Sequence, residues 1–422
     1  MALPPGFHYT RLMGAGDMGP APGISLADRA AGISPAARAR LSALLMLLLL
    51  LLPLIRPFVI LTAGSAGLAG TPMSDFDIFH LSARAILAGD AVQLYDESWF
   101  RAFQREQLGQ DVRATWTYPP PFDLVMAPFG LISRGWALLW FMLGSLAAYL
   151  LVLRRLAGPW LPVVLILLSP LLMIAVFFGQ NGLLTGALIG LACAGLLERR
   201  RWAGVPLGLM IIKPHLAIGF AVHVIARRDW RSVGLAALVV ALASGLATLV
   251  LGTAIWPAFL AAAAFAGDKL STGYFPFYRM ISAYAGVSAA GGGEALAAVM
   301  QFASAVAAVA LVVLAGRRLP AREALGVTAI AGLMISPYAF DYDLSIAGVG
   351  LALLAPALAR HGRPVELVAA YALFLAAAVY GTAMVPHAAS GGLPSLAAIA
   401  IWGMLALIVR ILWRGRAESA PA

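Results

Sequence analysis

Apolar runs constrain this chain more than any other feature. Stretches of roughly 16 to 25 mostly apolar residues recur at 41–62, 135–153, 160–178, 182–197, 232–255, 295–315, 323–340, 344–359, 365–385 and 395–413. A helix of that length spans the hydrocarbon core of a bilayer, about 30 Å at about 1.5 Å per residue. The pattern predicts an all-α polytopic membrane protein with about ten transmembrane helices. The composition agrees, because 62% hydrophobic residues, 11% charged residues and a mean hydropathy of +0.89 lie far from the range of soluble domains. A net charge of +10 would suggest nucleic acid in a soluble protein. Here the arginines gather in short loops between apolar runs, so they read as topology determinants and nucleic acid is excluded as a partner.

The charges also orient the chain. Arg38/Arg40, Arg154/Arg155, Arg199–Arg201, Arg227/Arg228/Arg231, Arg317/Arg318/Arg322, Arg360/Arg363 and Arg414/Arg416, with Arg11, Arg29 and Arg410, make 20 of the 29 basic residues. That side is predicted to be cytoplasmic. Twelve of the 19 acids fall on the other side, which places both termini inside. The Gly-, Pro- and Ala-rich residues 1–40 read as a disordered cytoplasmic tail, 41–414 as one transmembrane domain and 415–422 as a second short tail. About 40 residues before the first run are too many for an ordinary cleaved signal, so 41–62 is expected to remain as an anchor. The single Cys193 permits neither an intrachain disulfide nor a thiol-based metal site.

Trp202–Ala226 has Arg-rich sequence on both flanks. A single crossing would put the following basic loops outside, so the segment is predicted to be a helical hairpin that enters and leaves on the cytoplasmic side. The break falls at Lys213-Pro214, where proline removes an amide donor and disfavours helix in the residue before it. Irregular backbone at that depth requires a protein or water-filled surrounding.

The first outer loop, 63–134, is long, aromatic and acidic. Phe76, Phe79, Ala83, Ile86 and Leu87 recur at helical spacing, with Ser74 or Asp75 as N-cap and Gly89 as stop, predicting a helix on the outer membrane surface. A second amphipathic helix follows around Trp99, Phe100, Phe103 and Leu108, and Tyr118–Pro121 should be extended. A further outer loop covers Trp256 to Gly293.

Several residues could carry chemistry, each with a plainer alternative. Asp75 and Asp77 point about 200° apart on a helix, so one site can use only one of them directly; Asp75 as a cap and Asp77 as a solvated acid are the alternatives. Gly179–Gly182, containing Gln180 and Asn181, is either a site loop or an ordinary turn. Lys213 lies amid apolar sequence and needs an anionic partner such as phosphate, or must snorkel. His215 is a second phosphate donor or a satisfied core histidine. Arg279 would clamp a phosphate or meet lipid headgroups, and Arg56 is of the same kind. Asp341 and Asp343, around Tyr342, would orient the base or acceptor, or bind a divalent metal as a D-x-D pair.

In order along the chain, these segments resemble the family 87 glycosyltransferases, membrane enzymes of the GT-C class. The resemblance covers about 70–345 and rests on D-F-x-x-F to A-G at Asp75–Gly89, L-Y-D at Leu94–Asp96 and Y-P-P-P at Tyr118–Pro121. It continues with F-G-Q-N at Phe178–Asn181, A-G-x-x-x-G-L to K-P at Ala203–Pro214, R-M-I-S at Arg279–Ser282 and S-P-Y-x-F-D-Y-D-L at Ser336–Leu344. His80 stands near a position where the pattern usually has Trp or Tyr. The resemblance implies a GT-C-like bundle in the plasma membrane and an inverting transfer, outside the cell, of a mannose-like hexose or a pentose. The donor would be a polyprenyl-phosphate sugar and the acceptor a lipid or glycan. Asp75 would be the base, with Asp77, Asp341 and Asp343 in support; Lys213, His215 and Arg279 would hold the phosphate; His80, Tyr118, Gln180, Asn181 and Tyr342 would meet sugar or acceptor. No cofactor is implied. A secondary transporter, a lipid-linked sugar flippase and a non-catalytic membrane partner are the other classes; the first usually shows internal repeats and midplane charges.

Overall fold

A computed structural model describes Leu44 and residues 75–109, 114–390 and 393–418; the predicted N-terminal tail, the anchor at 41–62, Arg56 and Ser74 lie outside them. The predicted opening helix forms as α1, Asp75–Ala88, and stops where Gly89 turns left-handed at φ +92°. Asp75 is the first described residue of this helix and has helical geometry. Phe76 and Ala83 are completely buried and Phe79 nearly so, which means that α1 packs most of its apolar face into the protein, while Leu87 stays exposed. The second amphipathic helix, α2, is Glu97–Leu108; Asp96 caps it by accepting from Ser98 N at 2.8 Å and Trp99 N at 3.0 Å. The expected extended stretch ends at Pro119. Pro120 and Pro121 instead open α3, Pro120–Met126, where a missing amide hydrogen costs a helix nothing.

The apolar runs then follow as helices. α4 is Arg134–Ala157 and α5 is Leu161–Phe178, separated where Gly158 leaves helical geometry at φ +55°. α6, Gly182–Leu197, has only 16 residues. The sequence between 202 and 226 is broken where predicted: α7, Gly204–Leu209, a 3-10 turn at Met210–Ile212, Lys213 outside helical geometry, a second 3-10 turn at Pro214–Leu216, and α8, Ile218–Ala226. α9, Trp230–Leu251, follows three residues later. Gly204 lies against Ser232 and Gly208 against Ala236 and Val239, so α7 runs alongside the first turns of α9, into which α8 also leads. Both ends of the broken segment therefore lie at one end of α9, and the segment is a hairpin with Lys213 at its tip.

The stretch from Trp256 to Gly293, predicted as loop, contains α10, Ile255–Leu270, and α11, Ala283–Ala289. α12 is Glu294–Arg318 and α13 is Ala321–Ala331. The predicted span 323–340 does not form as one helix, because the chain tightens to a 3-10 turn at Gly332–Ile335 and is extended at Ser336, before a proline that disfavours helix in the residue preceding it. α14, Ser345–His361, α15, Pro364–Met384, and α16, Ala397–Glu418, complete the chain.

Six stretches among the described residues are long and apolar enough to cross a membrane: Arg134–Phe178, Trp230–Leu251, Glu294–Arg318, Asp341–His361, Pro364–His387 and Ala397–Glu418. The stretch containing α14 is the axis of the bundle, 72% buried over its most apolar window and packed against α4, α5, α6, α13 and α16. α9 is the opposite case, at 6% buried. An apolar helix uncovered by protein needs lipid around it.

Candidate active site

The break in the hairpin, the N-terminus of α1, the turn between α5 and α6 and the loop before α14 meet around a cavity of about 440 Å³. Seven of the predicted site residues line it: Asp75, Tyr118, Gln180, Lys213, His215, Arg279 and Tyr342. Its apolar walls include Phe259 on α10, Tyr274, Phe275, Tyr338 and Phe340.

The cations are held from behind. Lys213 Nζ donates to Asp343 Oδ1 at 2.6 Å, and its charge lies 4.7 Å from the centre of the Tyr342 ring. Arg279 donates from Nε and Nη2 to the two oxygens of Asp341, both at 3.0 Å. Its plane lies over the Phe178 ring at 4.0 Å. Asp341 and Asp343 are buried and also accept backbone hydrogens, from Tyr342 N at 2.8 Å and from Phe340 N at 3.0 Å. Their place is thus to fix Lys213 and Arg279, a use the sequence did not suggest. A short antiparallel bridge between Met280 and Phe340, with Ile281 N donating to Ala339 O at 2.9 Å, binds the Arg279 loop to the Asp341 turn.

Asp75 is different, because its carboxylate is 34% exposed and faces the cavity. Gln180 Nε2 donates to its Oδ2 at 3.1 Å, and Arg279 Nη1 stands 3.7 Å from the same oxygen. Burial raises the pKa of Asp75 above the usual carboxylate value, against the pull of Arg279 and the Gln180 amide; Asp341 and Asp77 push it further up. Such a carboxylate is a stronger base than one in water. His215 lines the same cavity, and its Nε2 is buried with no hydrogen-bond partner among the described residues.

The Gly-Gln-Asn-Gly sequence is no ordinary turn. Gly179 adopts φ +72°, and a Cβ there would lie 2.8 Å from Phe76 Cβ on α1. At Gly182 a Cβ would lie 2.2 Å from the carbonyl oxygen of Tyr342. The two glycines let one turn touch both acidic segments, and Gln180 bridges to Asp75 between them. Asn181 is fully buried, and its carbonyl accepts from Thr185 N at 3.0 Å.

Asp77 and His80 are not part of this cavity. Both line a second cavity, where Asp77 pairs with Arg134 at 2.7 Å and His80 Nε2 lies 3.0 Å from Ile132 O. Sequence reasoning also missed Asp123, which is buried in α3 and accepts from Trp116 Nε1 at 2.9 Å and Tyr95 OH at 2.9 Å. The same phenol lies 2.8 Å from the carbonyl of Tyr118, so this network fixes the cavity wall. Burial raises the pKa of Asp123 to about 7. An acid within the apolar Pro120–Met126 was the available signal.

The architecture defines a helical membrane protein with a carboxylate and two anchored cations around one cavity, a combination suited to moving a group off an anionic carrier. The profile of glycosyltransferase family 87 matches residues 116–337, just over half of the chain, and the protein belongs to that family. It is a glycosyltransferase. Asp75 and Asp341–Asp343 fall outside the matched residues, so their assignment rests on geometry. No curated protein and no solved structure matches the chain.

Proposed function

We propose that the protein is an inverting glycosyltransferase that moves a hexose or pentose from a polyprenyl phosphate to a lipid or glycan hydroxyl on the extracytoplasmic face of the plasma membrane. One observation carries this reading: a partly exposed carboxylate and two buried cations, each cation fixed by its own acid, line the same cavity. The donor phosphate meets Arg279 and Lys213, with His215 as a further partner, and the sugar points toward Asp75 and Gln180. Asp75 takes the acceptor proton as the acceptor oxygen bonds to the anomeric carbon. The bond from that carbon to the phosphate oxygen breaks on the opposite face, and its electron pair leaves with the lipid phosphate. The leaving group is an anion, so it requires charge neutralisation and no protonation. Tyr118 and Tyr342 form the wall against which sugar or acceptor rests.

The acids of the cavity and the arginine-rich loops fall on opposite sides in the charge pattern, which supports an outer active site, a hairpin entering from the cytoplasm and about ten crossings with both termini inside. Nucleotide sugars do not reach that outer side. Purified protein should transfer sugar from a polyprenyl-phosphate hexose or pentose and leave UDP- and GDP-sugars untouched. Transfer from a nucleotide sugar by the pure enzyme would overturn the donor assignment.

A further inference from the structure

A third cavity, of about 480 Å³, opens at the far end of α14, about 25 Å of helix from the Asp343 end. It is lined by the ends of α12, α14 and α16, which supply Arg318, Arg360, His361 and Arg416, and by Glu323 at the start of α13. None of the three arginines makes an ion pair among the described residues. Cations at helix C-termini are ordinary, since they balance the helix dipole and set topology. These cations, however, surround a hollow. Glu323 lines it, and the Oε2 of that carboxylate is buried with no hydrogen-bond partner among the described residues. Gly415 leaves the space in which the His361 ring packs, because a Cβ there would lie 2.4 Å from the ring. Before reaching Arg318, α12 exposes Phe302, Val306 and Leu314, an apolar surface that belongs in lipid.

We infer that this cavity binds the headgroup of an anionic glycerophospholipid of the adjoining leaflet, with phosphatidylglycerol as the best fit. The phosphodiester meets the arginines. A headgroup hydroxyl donates to the Glu323 carboxylate, and the acyl chains follow the exposed face of α12. Three arginines outnumber the lining Glu323 and Glu418, which stands 4.0 Å from His361, and this excess favours an anionic lipid over a zwitterionic one; basic pockets between helices at a membrane surface have this chemistry.

The test uses the full-length protein, delipidated in detergent, with dioleoyl-phosphatidylglycerol and dioleoyl-phosphatidylcholine added in equal amounts and read by native mass spectrometry. Phosphatidylglycerol should be retained preferentially, and Arg360→Gln and Arg416→Gln should each weaken retention by about fivefold. Equal retention of the two lipids, or unchanged phosphatidylglycerol binding in the combined Arg360→Gln/Arg416→Gln variant, overturns the inference. Glycerol 3-phosphate is the soluble control; if it binds as tightly as the lipid, the site takes a free phosphate ester and the lipid assignment fails. Should a variant not fold, the competition between the two lipids on the wild-type protein still decides.

Discussion

Lys213 Nζ lies 2.6 Å from Asp343 Oδ1, joining the tip of the hairpin to a turn 130 residues further along the chain. Removing one member of a buried pair strands the other charge, at a cost of about 3–5 kcal/mol, whereas replacing both with apolar residues is often neutral. Lys213→Met should therefore lower thermal stability in detergent, and Lys213→Met/Asp343→Leu should recover it. Donor binding should stay lost in both, seen as a raised KM for the lipid-phosphate sugar. Recovery of donor kinetics in the double variant would show that Lys213 is a structural group only.

Asp75 must be ionised to accept a proton, so activity should rise with pH through its pKa and fall away on the acid side. Burial raises that pKa, placing the acid limb of the kcat/KM profile above the ordinary carboxylate value of about 3.9. The Gln180 amide pulls in the other direction. Gln180→Leu should shift the limb to higher pH, and Asp75→Asn should abolish transfer while leaving the protein folded. Asp77→Asn should cost much less activity, since that acid lies against Arg134 in another cavity.

Gly182→Ala would drive a Cβ into the Tyr342 carbonyl. Backbone cannot move aside as a flexible side chain can, and overpacking of this kind costs about 1–3 kcal/mol. Gly144→Ala, on α4, is the control, because nothing lies within 4 Å of its Cβ position. A clear loss of Tm for Gly182→Ala and little change for Gly144→Ala are expected; equal midpoints would deny the close approach.

Asp123 has a folded-state pKa of about 7, above the unfolded value of about 3.9. Below both values the group is protonated in either state. As pH rises, the unfolded chain ionises first, so this residue's contribution to stability declines between about pH 4 and pH 7 and is level beyond. In Asp123→Asn that decline should vanish, visible as a flatter dependence of Tm on pH. An unchanged slope would place the titration elsewhere.

For the topology, single cysteines in a Cys193→Ser background can be labelled from outside with an impermeant maleimide. Thr117→Cys and Thr272→Cys should react, and Arg200→Cys and Asp229→Cys should not. External labelling at position 229 would invert the arrangement of the hairpin.

Much of this was legible because membrane sequences state their own constraints. The break at Lys213-Pro214 follows from proline geometry, and the end of α1 from Gly89. Seven of the site residues converge as their positions in the chain suggested. What stayed hidden was pairing over distance. That Asp341 would face Arg279 and Asp343 would face Lys213 depends on two loops crossing, and single-chain periodicity contains no such information. The same limit hid α10, whose alanine-rich face reads as loop or helix until Phe259 and Ala263 are seen walling the cavity. Pro120-Pro121 misled for a local reason, since proline is compatible with both an extended chain and the first turn of a helix.

The anchored cations also govern how the site empties. With Asp75 ionised, three carboxylates face two cations, Arg279 and Lys213, leaving one uncompensated negative charge. On the proposed chemistry that surplus disappears when Asp75 is protonated, at the moment when the lipid phosphate gains its second charge. The product anion is then held by a locally neutral frame. Loss of the proton to water restores the negative surplus beside a phosphate that now carries one more negative charge than the donor did, so the spent carrier is repelled more strongly than the donor. Deprotonation of Asp75 would in this way serve as the exit signal, and turnover would be linked to proton escape as well as to bond making.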